Sequence, residues 1–313
     1  MIFSCIIPSS KKDLESQNLK DLIASIKAQD FSQDQIEILT ITEGDSEQAK
    51  AIGIRRAKGE ICAMFCADNQ IMSSYLFTSI YGFFKISPHI SALYPQYYFY
   101  NKDDNSLNRY FSLMGGNDPI CYYLGKNDRW PHVDELIKTS DYQPSYGCNG
   151  FFYRSEAIKA TNLNHYYPMD NASEIKGKIH AMSLDSIWHR TSDNLLTFLL
   201  KRYRYARDLY CDRDDRRWKM LDAKRDYIRL AAFCLYALTA LQPISTSIRG
   251  YMRVRDPAWF WHWPVVLGFL ITYTILAIRT CLKRLWLYVR TKDLMYLRSA
   301  LNPLAPSPSK TTR

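Results

Sequence analysis

The first hundred residues alternate between short apolar runs and segments of helical periodicity, and this alternation constrains the fold more than any other feature. The apolar runs have the length of strands and lie at 2–7, 36–41, 61–66 and 90–94. The helical segments are predicted at 14–26, 49–58 and 72–86. Strands that alternate with helices form parallel sheets with right-handed crossovers. We therefore predict an α/β fold with a mostly parallel sheet.

The position of a ligand site follows from this sheet. Ligands of open parallel sheets bind in the crevice beyond the carboxyl ends of the strands. In this sequence the segments after the first three strands are Pro8–Lys12, Thr42–Asp45 and Cys66–Asn69. We expect these three segments to line one crevice.

The remainder of the chain predicts further parts. Residues 101–146 are polar, aromatic and rich in turn residues, so we interpret them as an insertion or lid. Residues 151–153 are typical of a strand, and 194–210 of a basic amphipathic helix. The predicted organisation is a catalytic domain at 1–205, a basic amphipathic connector at 206–227, membrane-associated helices at 228–298 and a disordered tail at 299–313.

Charge is divided unevenly along the chain. Of the 41 Lys and Arg and 31 Asp and Glu, residues 1–200 hold 19 and 23, a net charge of −4, whereas residues 201–313 hold 22 and 8, a net charge of +14. Basic residues beside apolar segments favour anionic lipid headgroups, and motifs typical of nucleic-acid binding are absent from the sequence. We therefore predict membrane lipids, and not nucleic acid, as partners.

The eight cysteines include no CxxC pair, which favours a reduced, cytosolic compartment over a disulfide framework. The apolar run at 2–7 is too short for a signal peptide and lacks a cleavage site.

Two long apolar segments, 228–244 and 257–278, predict membrane attachment. The second is about long enough to span a bilayer and carries a cluster of tryptophans at 259–263, which is typical of a membrane interface. Arginines lie both between the segments and after the second one, and the positive-inside tendency would keep both groups in the cytoplasm. A simple hairpin would export the first group, so the number of spans stays open.

The N-terminal two thirds of the chain resemble glycosyltransferase family 2, whose members are inverting enzymes of the GT-A fold. The resemblance rests on the order and spacing of Ile6-Ile7-Pro8, Glu43-Gly44-Asp45-Ser46, Ala49 to Ile54, Ala57-Lys58-Gly59-Glu60 and Phe65 to Asn69. It continues in Gly147-Cys148-Asn149-Gly150 and covers roughly residues 2–205. It implies a GT-A domain with a Rossmann-like, mostly parallel sheet.

The resemblance also implies roles for residues that bind the sugar donor. The family's third strand ends in an Asp-x-Asp motif, which here is Cys66-Ala67-Asp68, so that Asp68 aligns with the metal-binding carboxylate and a thiol replaces the first aspartate. Glu43 aligns with the acidic position that reads the nucleobase, and Lys50 with a basic position near the base or phosphate. The donor-binding residues that the resemblance implies are Pro8, Ser9, Glu43, Lys50, Cys66, Ala67 and Asp68.

Further residues would serve the acceptor, the proton transfer and the metal. Gly147, Asn149 and Gly150 correspond to the acceptor-side loop. Asp170 occupies the place of the catalytic base, with Met169 where the family usually has Glu and with Glu174 as the second candidate. His189 falls where many GT-A enzymes have a histidine ligand. Asp68 and His189 would thus hold Mg²⁺ or Mn²⁺.

The function predicted from these features is transfer of a sugar from a nucleotide diphosphate, with UDP-sugars favoured, to a lipid-linked or glycan acceptor at the cytoplasmic face of the inner or plasma membrane. An alternative is a degenerate nucleotide-sugar-binding or scaffold subunit of a membrane glycan assembly complex, which Cys66, Met169 and Ala51 favour. A basic peripheral membrane protein without catalytic function is a third possibility, but it leaves the crevice unexplained.

Overall fold

The computed structural model describes residues 1–95, 98–116, 118–124, 149–182, 186–211 and 223–301. The chain divides into two compact units. The sheet unit comprises Met1–Asp104, Phe111–Gly116 and Lys126–Thr191. The helical unit comprises Asn105–Tyr110, Asn117–Gly125 and Ser192–Arg313. Residues 125–146 of the predicted lid, residues 147–148 after it, and residues 302–313 of the predicted tail lie outside the described residues.

The strands, in chain order, are β1 (Phe3–Pro8), β2 (Ile36–Ile41), β3 (Ile61–Met64), β4 (Asn69–Ile71), β5 (Ile90–Pro95), β6 (Phe151–Arg154), β7 (Lys178–Met182) and β8 (Ile187–His189). The α-helices are α1 (Gln17–Lys27), α2 (Ser46–Arg56), α3 (Leu76–Ile86), α4 (Ser106–Met114), α5 (Pro119–Tyr123), α6 (Ser155–Lys159), α7 (Pro168–Glu174), α8 (Leu195–Ala206), α9 (Ala223–Thr239), α10 (Leu241–Arg253), α11 (His262–Thr291) and α12 (Leu294–Ala300). Short 3₁₀ turns at Gln33–Gln35 and Pro257–Trp261 precede β2 and α11.

The sheet unit contains a six-stranded sheet in the order β2-β1-β3-β6-β5-β7. β1 pairs in parallel with β2 and with β3, and β5 pairs in parallel with β7. β6 is antiparallel to both of its neighbours, β3 and β5. A separate two-stranded sheet pairs β4 with β8 in antiparallel orientation. The predicted class, α/β with a mostly parallel sheet, is therefore confirmed.

Local sequence signals account for the helices that flank β1. Ser16 caps α1 by accepting a hydrogen bond from the Leu19 backbone N–H. Asp45 and Gln48 form a capping box at the start of α2, so the loop after β2 leads directly into a helix. Gly53 lets α2 pack against β1, because a Cβ at this position would lie 2.3 Å from Ile6 Cγ2.

The core of the sheet unit lies between the sheet and helices α1 and α3. Phe3 stacks on Phe77 with ring centroids 4.5 Å apart, and Phe77 meets Phe152 edge to face. All three rings are fully buried, as is Ile80 beside them on α3. Burial of such side chains stabilises a fold by about 1.5–3 kcal/mol each. This core therefore stabilises the strands whose ends form the crevice.

The helical unit contains the two apolar segments predicted for the membrane. The first one is broken: α9 ends at Thr239, Ala240 adopts a left-handed conformation with φ 59°, and α10 leaves at an angle of 78°. The break thus precedes Pro243, which lies in the first turn of α10, where proline is tolerated. The second segment forms a continuous helical stretch, Pro257–Thr291, which is the one unbroken stretch of the described chain long and apolar enough to cross a membrane; α9 and α10 reach that length and apolarity only when taken together. α8, predicted as the end of the first domain, lies in the helical unit.

Candidate active site

The ends of three adjacent parallel strands meet at one edge of the sheet. β1 ends at Pro8, and the register pairs Pro8 with Ile41 at the end of β2. Ser9 continues this pairing by donating its backbone N–H to the Ile41 carbonyl at 2.9 Å. On the other side of β1, the Phe65 N–H donates to the Ile6 carbonyl at 3.0 Å. Pro8, Ser9, Glu43 and the segment Cys66–Asp68 therefore follow strand ends that share one edge, as the sequence predicted.

Asp68 and His189 lie together although 120 residues separate them in the chain. The antiparallel register of β4 and β8 pairs Asn69 with His189, and the Arg190 N–H donates to the Asp68 carbonyl at 2.9 Å. The His189 Nε2 atom lies 3.5 Å from the Asp68 Oδ1 atom. The side chains are 7% and 21% exposed, so this carboxylate–imidazole pair faces a largely shielded space.

The geometry of this pair fits a divalent metal. Two ligand atoms that each lie ~2.1 Å from one ion are ~3.0 Å apart at an angle of ~90° and ~4.2 Å apart at ~180°, so a spacing of 3.5 Å falls within the range for shared coordination. One carboxylate and one imidazole are an oxygen-plus-nitrogen donor set suitable for such ions. Within the described part of the chain no group of three or more His, Cys, Asp or Glu side chains could hold a metal, so protein ligands beyond this pair are not identified.

Two residues that the sequence did not single out also contact the His189 ring. The Tyr98 ring lies with its centroid 5.0 Å from that of His189, and the Thr191 Oγ1 atom lies 3.4 Å from His189 Nδ1. Both residues are buried. A partner at Nδ1 determines which ring nitrogen faces Asp68, which is how outer residues orient histidine ligands of metals.

A hydrogen-bonded relay joins the Asp68 turn to the acceptor-side loop. Asn69 is 2% exposed; its Oδ1 accepts from the Cys66 N–H at 2.9 Å, and its Nδ2 donates to Asn149 Oδ1 at 3.1 Å. Asn149 Nδ2 in turn donates to the Tyr98 hydroxyl at 2.7 Å. The relay therefore runs from the backbone of Cys66 to the tyrosine that packs on His189. Asn69 ends the segment Cys66–Asn69 that the sequence predicted at the crevice, whereas the sequence did not single out Tyr98.

The acceptor-side loop contacts β3 at a glycine. The Gly150 N–H donates to the Met64 carbonyl at 2.9 Å, and its φ of 75° is in the left-handed region that favours glycine. A Cβ at Gly150 would also lie 2.9 Å from Ile187 Cγ1. Gly147, the other predicted glycine of this loop, lies outside the described residues. Asn149 and Gly150 are thus positioned beside β3 and β8, next to the Asp68–His189 pair.

Glu43 lies in an exposed ion pair. Arg56 donates from both terminal nitrogens to the two Glu43 carboxylate oxygens, at 2.7 and 2.9 Å. These hydrogen bonds, with the positive charge of Arg56 in addition, hold the pKa of Glu43 below its usual value. The sequence predicted Glu43 as a reader of the nucleobase but did not identify Arg56 as its partner.

Lys50 is buried and forms an ion pair within its own helix. Its Nζ donates to Glu47 Oε1 at 2.8 Å, and the two side chains are 6% and 5% exposed. The Glu47 carbonyl accepts from the Tyr166 N–H at 3.0 Å, so this part of α2 also anchors the segment that leads into α7. The described contact of Lys50 is therefore a carboxylate of the protein itself.

Asp170 and Glu174, the two candidates for the base, lie on α7. Asp170 is 6% exposed, whereas Glu174 is half-buried and accepts a hydrogen bond from the Asn162 backbone N–H at 2.6 Å. Asn171 ties the segment together by donating to Thr161 and by accepting from the backbone of Tyr167. α7 is therefore held firmly, and Asp170 is the more shielded of the two carboxylates.

Comparison with known proteins gives structural similarity alone. No protein-family model matches the chain, and no curated protein matches it. A crystal structure of residues 1–349 of Staphylococcus aureus TarS is 12% identical, with a TM-score of 0.38 over 96% of this chain and 90% of that 1–349 chain. The mannosyltransferase PcManGT from Pyrobaculum calidifontis, in complex with GDP-Man and Mn²⁺, is 11% identical, with a TM-score of 0.47 over 86% of each chain. The catalytic domain of Drosophila β1,4-galactosyltransferase 7 is 10% identical, with a TM-score of 0.35 over 60% of this chain and 69% of that domain. These structural neighbours are glycosyltransferases, at similarity too low to transfer residue roles.

Proposed function

We propose that the protein is a membrane-attached glycosyltransferase of the family 2 type, with a GT-A domain that transfers a sugar from a nucleotide diphosphate with inversion. The observation that carries the proposal is the Asp68–His189 pair, which lies beyond the carboxyl edge of a mostly parallel sheet. The aligned sequence segments that resemble family 2 support the same reading. A UDP-sugar is the first donor to test, and the acceptor is a lipid-linked molecule or a glycan in cell-surface polysaccharide or glycolipid assembly.

The donor side of the reaction is assigned to the three strand ends. Asp68 and His189 would hold Mg²⁺ or Mn²⁺, which when bound neutralises the negative charge that develops on the departing nucleotide diphosphate. Pro8, Ser9, Cys66 and Ala67 would shape the crevice around the donor. Each carboxylate oxygen can accept more than one hydrogen bond, so Glu43 can accept from a nucleobase N–H while it stays paired with Arg56.

The acceptor side is assigned to Asn149, Gly150, the undescribed Gly147, and Asp170. Asp170 would take the proton of the acceptor hydroxyl while the acceptor oxygen forms its bond to the anomeric carbon. The bond from that carbon to the diphosphate oxygen breaks on the opposite face, so the configuration inverts. Asp170, the more shielded of the two carboxylates on α7, is the first candidate for the base, and Glu174 is the second. Lys50 is assigned a supporting role, since its ion pair with Glu47 fixes α2 beside the segment that precedes α7.

A second function, nucleotide-sugar binding without transfer, is favoured by specific features. A thiol at Cys66 replaces the first carboxylate of the family motif, and Lys50 forms a buried ion pair with Glu47. A subunit of this kind would bind the donor in a complex that assembles membrane glycans. It would show donor binding but no turnover with any acceptor.

The experiment that tests the proposed function combines donor binding with turnover. Purified full-length protein in detergent is screened with nucleotide sugars by thermal shift and by release of the nucleotide diphosphate, with Mn²⁺, with Mg²⁺ and with chelator. We expect binding that weakens at least tenfold with chelator or in Asp68→Ala. Asp30→Ala, which removes an exposed carboxylate outside the crevice, is the matched control and should behave like the unsubstituted protein. Equal affinity with metal and with chelator would contradict the metal-dependent mechanism, and binding without turnover would favour the second function.

A further inference from the structure

The helical unit leaves a large apolar surface uncovered. On α11 the exposed positions Ile271, Ile275, Ile278 and Leu282 recur at intervals of four, three and four residues, and each side chain is 51–61% exposed. This spacing places them on one face of the helix. The opposite face, which includes Phe269, Tyr273 and Leu276, is buried within the unit. α11 therefore has one covered and one uncovered apolar face.

α10 has the same division on a shorter helix. Its exposed apolar side chains are Leu241, Ile244, Ile248 and Met252. Pro243, Ser247 and Gly250 are buried on the other side, and a Cβ at Gly250 would collide with Trp259. At 13 residues and ~1.5 Å per residue α10 is ~20 Å long, which is too short to cross a bilayer core of ~30 Å.

The covered face of α11 packs on α8 in the middle of the apolar stretch. Leu199 on α8 contacts Gly268, and the rings of Phe198 and Phe269 have centroids 5.7 Å apart. One turn further along, Arg202 donates to the Tyr273 hydroxyl at 3.3 Å. α8 therefore lies beside the centre of the stretch Pro257–Thr291 and not beside either end.

α8 carries charged side chains beside the centre of this apolar stretch. Arg202 forms an ion pair with Asp118, which also accepts from the Tyr273 hydroxyl at 2.9 Å. On the outer side of α8, Lys201 and Arg204 are exposed. If α11 crossed a bilayer, these charges would lie near the middle of the hydrocarbon core. Charged side chains at that depth are strongly disfavoured unless they face a protein interior or a water-filled cavity.

In the stretch 226–301 of the helical unit, the exposed charged side chains are positive with one exception. Between 226 and 301 the exposed basic residues are Arg229, Arg249, Arg253, Arg255, Arg279, Lys283, Arg290, Lys292 and Arg298. Of the three acidic residues in this range, Asp226 and Asp256 are buried and Asp293 is exposed. An apolar face with a basic surround is complementary to a leaflet of anionic phospholipids.

We propose that the helical unit docks into one leaflet of an anionic bilayer and does not cross it. α11 lies along the membrane plane with Ile271, Ile275, Ile278 and Leu282 among the upper acyl chains, and α10 lies at the same interface. The arginines before and after α11 then remain on one side of the membrane, which removes the conflict between a hairpin and the positive-inside tendency. The inference rests on the membrane attachment in the proposed function and is independent of sugar transfer.

The test measures depth along α11. Nitroxide labels are placed at Ile271→Cys, Leu282→Cys and Val289→Cys, one at a time, in full-length protein in which Cys66, Cys148, Cys234 and Cys281 are replaced by serine. The protein is bound to vesicles of phosphatidylcholine with phosphatidylglycerol, and accessibility to oxygen and to a water-soluble relaxant gives the depth. Docking in one leaflet predicts similar depths for all three labels, within the ~5–10 Å that interfacial helices reach. A spanning helix predicts that the depths of the labels at positions 271 and 289 differ by up to ~27 Å, which is 18 residues at ~1.5 Å each. This result would overturn the inference.

A second measurement tests the apolar face itself by co-sedimentation with the same vesicles. Ile275→Gln with Ile278→Gln should weaken binding at least tenfold, because two exposed apolar side chains no longer leave water. The matched control Thr197→Gln, on the exposed side of α8, should bind as the unsubstituted protein does. Replacing phosphatidylglycerol by phosphatidylcholine should also weaken binding. Absence of any vesicle binding would overturn both the docking and the membrane attachment, while nucleotide binding by the sheet unit would still report on sugar transfer.

Discussion

The relay of Asn69, Asn149 and Tyr98 gives a prediction whose size follows from the structure. Asn69→Ala removes the acceptor of the Cys66 N–H and the donor to Asn149 Oδ1. Asn69 also begins β4, whose pairing with β8 brings Asp68 to His189. The substitution should therefore loosen the two-stranded sheet that forms the candidate metal pair, and it should leave the six-stranded sheet in place.

The magnitude comes from two groups that lose their partners. A buried polar group left without a partner costs about 1–3 kcal/mol, and because both groups here are partly buried we expect a total of about 2–3 kcal/mol. Since about 1.4 kcal/mol corresponds to a factor of ten, local opening of β4 and β8 should become about 30- to 140-fold more frequent.

Hydrogen exchange with mass spectrometry measures this opening in the full-length protein. The informative amides are those of Met72 and Arg190, which donate to Ser186 and Asp68 in the small sheet. We expect faster exchange there and unchanged exchange in β1. Asn164→Ala, which changes an exposed asparagine, is the control and should alter neither. Exchange that is faster throughout the protein, or exchange that is unchanged at Met72 and Arg190, would refute the claim that Asn69 supports the small sheet specifically.

Three further predictions test the site. Asp170→Asn should leave donor binding intact and abolish transfer, because only proton removal from the acceptor is lost, whereas Glu174→Gln should retain turnover; near-normal kcat in Asp170→Asn would move the base elsewhere. Arg56→Ala should weaken nucleotide binding severalfold in a titration, since the guanidinium orients the Glu43 carboxylate, and unchanged affinity would argue against Glu43 as a reader of the base. Gly150→Ala should lower the unfolding free energy by about 1–3 kcal/mol in denaturant unfolding, because of its positive φ and its contact with a buried isoleucine, and an unchanged midpoint would contradict that strain.

Much of the fold could be predicted because its main strands are continuous apolar runs. β1 and β2 agree with the predicted segments to within a residue, and β5 begins where it was predicted. β4 and β8 were not predicted, since a strand of three residues is too short to show a period. Residues 69–71 are strand, so α3 begins at Leu76 instead of at the predicted 72. The reversed direction of β6 depends on how the chain returns to the sheet, which a local pattern does not encode.

The candidate site was predictable only where family-like spacing identified a residue type. Asp68 and His189 were named separately, and the structure brings them to 3.5 Å through the β4–β8 register. Tyr98 acts through contacts with residues far along the chain, so neighbouring sequence gives no sign of it. The same holds for the partner of Glu43, since Arg56 is a basic residue in the last turn of a helix, a common position for one.

The side chains of the Asp68–His189 pair bear on which metal the site would prefer. The identified donor set is a single carboxylate, Asp68, and an imidazole, His189. Mg²⁺ requires near-ideal octahedral coordination by oxygen and binds through carboxylates and phosphates, whereas transition-metal ions accept imidazole readily. An imidazole in the donor set therefore favours Mn²⁺ over Mg²⁺. If the protein is an active transferase, its chemistry at the donor should thus rest on Mn²⁺, with donor phosphates and water completing the coordination that two side chains begin.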